Sequence, residues 1–152
     1  MKEYSYNINN DVYNWMISRE KDIEVRVLNE KSLTIQIGDI ITFNNLDNNG
    51  KFVKMRVKEK NLLENINELL TKFSIERIMP KHTKEELIGM LKTIYGDELS
   101  KKQIVSFELE YLSCDSTIDF IEYEDKYLED VRDLLVELEE YILSIDKDNL
   151  DQ

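Results

Sequence analysis

At 152 residues and 18.1 kDa the chain has room for one hydrophobic core and not for two independent domains. A formal net charge of −12 opposes extensive nucleic-acid binding, because phosphates repel an acidic protein. The charge is unevenly placed: residues 113–152 carry 14 acidic and 3 basic side chains (net −11), whereas residues 1–112 carry 18 and 17 (net −1).

In chain order, Val12, Trp15 and Met16 fall at i, i+3 and i+4, predicting a helix over 10–18 with Asn10 as N-cap. Asp22 to Leu28 alternates Ile23, Val25 and Val27 with Asp22, Glu24 and Arg26, the period of a half-buried strand. Leu33–Ile37 reads as a second strand, Gly38-Asp39 as a turn, and Ile40–Phe43 as a third strand. The turn formers of 44–50 lead to a fourth strand over Lys51–Lys58, with Val53, Met55 and Val57 opposite Lys54, Arg56 and Lys58. A helix is predicted over Asn61–Lys72. A second opens on the Thr83/Glu86 capping box, carries Leu87, Met90, Leu91 and Ile94, and stops at Gly96. Gln103–Leu112 alternates again and closes the set of strands.

Short strands with helices inserted between them predict an α+β fold, a small barrel plugged by helices. Beyond it, Leu128, Val131, Leu135, Leu138, Ile142 and Ile145 recur at alternating spacings of three and four. The expected domains are therefore a barrel over 1–112 and an acidic extension over 113–152. The extension is read as an amphipathic helix docked on the barrel or on a partner copy, which makes a homodimer through it one expectation.

Met1–Asn10 lacks the apolar run of a secretion signal, and no stretch approaches the ~20 apolar residues of a membrane span. A cytoplasmic chain with no membrane partner is expected. Cys114 is the only cysteine and His82 the only histidine, so an intrachain disulfide and a multi-histidine metal site are excluded. The four glycines are scattered and spell neither a P-loop nor a dinucleotide fingerprint, so no cofactor is expected. His82 reads as a loop residue, Cys114 as an inert thiol, and Trp15 and Met16 as helix-to-core contacts.

The chemistry-bearing segment is Lys21 to Arg26. Glu24 and Arg26 are two apart on a strand and project from one face, about 7 Å apart at the backbone. Lys21, at the strand entrance, can swing to that face, although strict alternation places it opposite. A lysine, a carboxylate and a guanidinium converging on a cleft can read a base edge and hold a phosphate or carbonyl. The plainer reading is a solvated strand face whose ion pair is worth ~0–1 kcal/mol.

Ser18-Arg-Glu-Lys21-Asp-Ile-Glu24-Val-Arg26-Val resembles the signature of the ASCH (activating signal cointegrator homology) family, usually Gly-x-Lys-x-x-Glu-x-Arg. Ile37 to Phe43 is similar to the family's Gly-Asp turn between strands. Ile78-Met-Pro80, the helix through Leu87 and Leu91, and the strand through Phe107 follow in the family's order. Arg19 stands where the family has glycine. The resemblance covers about residues 3–112 and implies a PUA-like β-barrel with a cleft formed by Lys21, Glu24 and Arg26, and a link to RNA. The implied partner is RNA or a modified nucleoside. One branch of the family hydrolyses N4-acetylcytidine with the motif lysine, a threonine and a separate glutamate. Lys21 fits that branch, but Glu24 occupies the threonine's place and Pro80 falls where the glutamate would lie. Two functions are therefore expected in turn: a binding module for RNA or a nucleotide, and, as the alternative, an amidohydrolase acting on an N4-acylated cytidine with Lys21 and Glu24 as catalytic groups.

Overall fold

A computed structural model describes residues 1–115 of the chain. The expected C-terminal helix, its dimer and the acidic face it would carry lie outside the described residues.

The chain opens with a strand, β1 (Glu3–Ile8), where the sequence reading placed none. Helix α1 (Asn10–Ile17) follows, capped by the Asn9 side chain accepting from the Val12 amide, one residue earlier than expected. Strand β2 (Ile23–Val27) comes next. The segment expected as a second strand is instead a short helix, α2 (Glu30–Thr34). Asn29 and Ser32 form a reciprocal capping box there, which satisfies the first turn locally, and of Leu33, Ile35 and Ile37 only Ile35 is buried. Strand β3 (Ile40–Asn45) and a turn lead into β4 (Phe52–Leu63), which runs five residues past its expected end at Lys58. The next helix is accordingly shorter than expected: α3 (Ile66–Lys72), capped by Asn65. A single turn, α4 (Ile75–Ile78), precedes α5 (Lys84–Tyr95), whose Thr83/Glu86 box and Gly96 stop match the sequence reading. Gly96 takes φ +58, a left-handed value natural to glycine. One more turn, α6 (Glu98–Lys101), leads to β5 (Ile104–Cys114).

The five strands form one sheet in the order β1-β3-β4-β5-β2. β1 runs parallel to β3, while β3–β4 and β2–β5 are antiparallel. With β1 and β2 at the two ends of that order, the expected barrel is a curled half-barrel. Helix α1 packs against β3 and β4, whose inward residues Ile41, Phe43, Val53, Met55 and Val57 are fully buried with Met16. The other side of β2 and β5 is covered by the helices: Ile23 and Ile104 join Leu63, Leu69, Phe73, Ile78, Met79, Leu87 and Leu91 in one apolar cluster. Strand β2 is thus enclosed from both sides, and this determines the environment of Glu24. Among the described residues no helix is long and apolar enough to cross a membrane.

Candidate functional site

Glu24 and Arg26 leave β2 on the face opposite Ile23, level with Phe107 and Val105 of the neighbouring strand. Both of those neighbours are fully buried, so the two charged groups stand in the hollow of the half-barrel and not on an open surface. Lys21, in the turn between α1 and β2, folds back to meet them. Its Nζ donates to the backbone oxygens of Ile23 (2.6 Å) and Ile78 (2.7 Å) and lies 3.4 Å from Glu24 Oε1. An ammonium has three donors and no acceptor, and all three are engaged. Glu24 Oε2 accepts from Arg26 Nε at 2.7 Å and lies 2.7 Å from Arg26 Nη2. Lys21 and Glu24 are only 5% and 6% exposed. Lys21 is therefore a buried tie between β2 and the last residue of α4, which corrects the expectation of an exposed charge that matters little for folding.

Burial draws the Lys21 pKa below its ordinary value, against the pull of Glu24. For Glu24 burial acts to raise the pKa, but Arg26 and then Lys21 outweigh it and hold the carboxyl below the ordinary 4.5. The asymmetry follows from the count of partners: Glu24 faces two cations, Lys21 a single carboxylate. Burial also works against the Arg26 charge, and Glu24 outweighs it, raising that pKa. Arg26 lies over the ring of Tyr6, with Cζ 3.9 Å from the centroid. Lys31 Nζ lies 4.1 Å from the same centroid and donates to the Ser5 carbonyl. The Tyr6 hydroxyl is buried without a hydrogen-bond partner among the described residues, and burial pushes its pKa up to about 12.

Lys21, Glu24 and Arg26 line one cavity of about 400 Å³. Its remaining walls come from three other segments. The end of β1 and helix α1 supply Asn7, Asn9, Asp11 and Trp15; the loop after α4 supplies Met79 and His82; α5 supplies Leu87, Met90, Leu91, Ile94 and Tyr95. One wall is apolar and aromatic, the other polar. Trp15 and His82 meet edge to face, 5.5 Å between centroids. The His82 Nδ1 lies 2.8 Å from the Pro80 carbonyl, which can only accept, so Nδ1 is the donor of that pair. Trp15, read from sequence as a core contact, packs against the apolar cluster and lines the cavity as well. His82, read as a loop residue, and Tyr95, not singled out, also line it. No local pattern marks these three, because helix α1, the α4–α5 loop and α5 meet only in the folded chain. Among the described residues no group of three or more His, Cys, Asp or Glu side chains is placed to hold a metal.

The fold matches solved structures. A superposition on hypothetical protein PH0355 covers 74% of this chain and 100% of that one, at 28% identity and a TM-score of 0.64. The ASCH domain from Lactobacillus crispatus matches over 72% of this chain and 79% of its own, at 11% identity and a TM-score of 0.56. ASCH from Zymomonas mobilis matches over 71% and 66%, at 10% identity and a TM-score of 0.53. The chain has an ASCH-like fold. No protein-family model and no curated protein matches the sequence. Within this ASCH-like frame the departure at Arg19 acquires a physical meaning. Arg19 adopts φ +68, the left-handed region that glycine enters freely. Its Nη1 donates to the Ile17 carbonyl (2.7 Å) and its guanidinium lies 3.5 Å from the Tyr111 ring centroid, so the side chain supplies contacts that glycine cannot.

Proposed function

We propose that this ASCH-like module binds RNA or a nucleotide, with a base in the cavity between the apolar wall and the Arg26 end. The carrying observation is the coexistence of both surfaces in one hollow. Its volume of about 400 Å³ falls in the range of small-molecule sites, ~300–1,000 Å³. The Trp15–His82 edge and the α5 residues Met90 and Ile94 offer a surface for a base to stack on, and base–aromatic stacking is worth ~1–3 kcal/mol. Glu24 occupies Nε and Nη2, leaving Nη1 of Arg26 without a partner among the described residues and free to donate to a carbonyl or phosphate oxygen. Lys21 and Glu24 hold Arg26 and the loop after α4 in place, a positioning role.

The hydrolytic alternative has less support from the same geometry. It needs Lys21 to activate an attacking species and Glu24 to move protons. All three Lys21 donors are engaged, and Glu24 is held by two cations that depress its basicity.

Trp15 is the only tryptophan of the chain and lines the cavity, so its fluorescence reports occupancy. Titration with short single-stranded RNAs and with the four nucleoside monophosphates should change that emission saturably. Ile94→Asp, at a lining residue 61% exposed, should abolish the change without altering the melting temperature. Saturable binding that Ile94→Asp leaves intact would place the ligand elsewhere. Release of acetate from N4-acetylcytidine, lost in Lys21→Met, would favour the hydrolytic alternative instead.

A further inference from the structure

Lys21 and Glu24 cancel one another at the polar end of the cavity, but Arg26 is not alone beyond them. Arg26 Cζ and Lys31 Nζ lie 3.9 Å and 4.1 Å from one ring centroid, so the two cations are no more than 8.0 Å apart. Of the two only Arg26 touches Glu24, a carboxylate that it divides with Lys21, and Lys31 makes no ion pair among the described residues. Among the described residues its only acceptor is the Ser5 carbonyl, a neutral group on the edge strand β1. Burial and then the Arg26 charge bring the Lys31 pKa down, in keeping with that proximity. The Tyr6 ring lies against both cations, and its buried hydroxyl, without an acceptor among the described residues, stays protonated. Lys21, Arg26 and Lys31 against the one Glu24 carboxylate leave this cluster two positive charges in excess, with Arg26 lining the cavity that already reads as a base site and Lys31 across the Tyr6 ring from it.

We propose that Arg26 and Lys31, on the ring of Tyr6, form a subsite for a phosphomonoester, so that the ligand is a nucleotide with a terminal phosphate, free or at the end of an RNA. The inference rests on the base-binding reading of the cavity and adds the chemical class of the ligand. Charge selects the monoester. A phosphomonoester carries about −1.5 to −2 near neutral pH, which matches two cations, while an internal phosphodiester carries one negative charge and would leave one cation unmet.

The full chain is titrated with nucleosides of the four common bases and with their 5′- and 3′-monophosphates, followed by Trp15 fluorescence. Pairs of short RNAs with and without a terminal phosphate form the second arm. The monophosphates should bind at least tenfold more tightly than the nucleosides. Lys31→Ala should lose most of that ratio and Lys31→Arg should restore it. Lowering the pH from 7.5 to 5, through the second phosphate ionisation, should weaken the monophosphates selectively. Free monophosphates binding as tightly as phosphorylated RNA would identify the mononucleotide as the ligand. Tight binding confined to phosphorylated RNA would identify the RNA end. Equal affinity for nucleosides and monophosphates, or for RNAs with and without the terminal phosphate, would overturn the subsite and leave the base-binding reading standing. Absence of any binding would overturn both.

Discussion

Replacing Lys21 with methionine removes the ammonium while keeping an unbranched side chain of similar length. The two backbone oxygens it joins, of Ile23 and Ile78, lose their charged donor, and Glu24 loses one of its two cations. Breaking a buried ion pair by removing one partner costs about 3–5 kcal/mol, because the other charge stays buried and less compensated. Arg26 remains on Glu24, which points to the lower half of that range, about 3 kcal/mol. With ~2–8 °C of melting temperature per kcal/mol for domains of this size, the variant should melt about 6–24 °C below the parent. Urea denaturation followed by far-ultraviolet circular dichroism should show a lower midpoint at unchanged slope. Lys31→Ala, at an exposed lysine, serves as the control and should stay within ~0.5 kcal/mol. A loss below ~1 kcal/mol in Lys21→Met would refute the view that this lysine ties β2 to the end of α4.

The Glu24 and Asp39 carboxyls both lie below their ordinary values of 4.5 and 3.8: Glu24 because its two cations outweigh burial, Asp39 because it accepts from the Gln36 and Lys2 amides. Their contribution is therefore full above about pH 4.5 and is lost as pH falls through the depressed values, so the urea midpoint should drop on acidification below pH 4 and flatten in Asp39→Asn. Arg19→Gly should change stability by less than about 1 kcal/mol, since relief of the left-handed backbone offsets the lost Tyr111 contact, whereas Arg19→Val should cost about 1–2 kcal/mol; calorimetric melting of the three proteins decides it. Leu87→Ala empties a side chain 1% exposed that both fills the apolar cluster and lines the cavity, and should cost about 2–5 kcal/mol while weakening ligand binding.

The parts of the fold legible in the sequence were those whose local chemistry agreed with their final environment. Helix α5 carries its capping box, an apolar stripe and a glycine stop, and β2 carries a clean alternation. Helix α2 misled because Leu33, Ile35 and Ile37 alternate like a strand, while the Asn29–Ser32 box just upstream decides the backbone. Strand β4 continues through Lys58-Glu59-Lys60-Asn61, where no apolar alternation exists, as a member of the sheet between β3 and β5. Strand β1 does show a pattern, Tyr4, Tyr6 and Ile8 against Glu3, Ser5 and Asn7, and that signal could have found it. At the site, the two-residue spacing of Glu24 and Arg26 was readable because it is local. The burial of Lys21 was not, since one of its carbonyl partners lies 57 residues away. Tyr6 and Lys31 join Arg26 only because β1 and α2 meet at the edge of the half-barrel.

Backbone and indole resonances followed by ¹⁵N-correlation spectroscopy during titration with nucleoside monophosphates test the central claim most directly. A base in the cavity should give saturable shifts concentrated at the Trp15 indole, at Lys21 to Arg26, and from His82 to Tyr95. Shifts confined to the outward side of β3 and β4, at Thr42, Lys54 and Arg56, or no shifts at millimolar ligand, would contradict it.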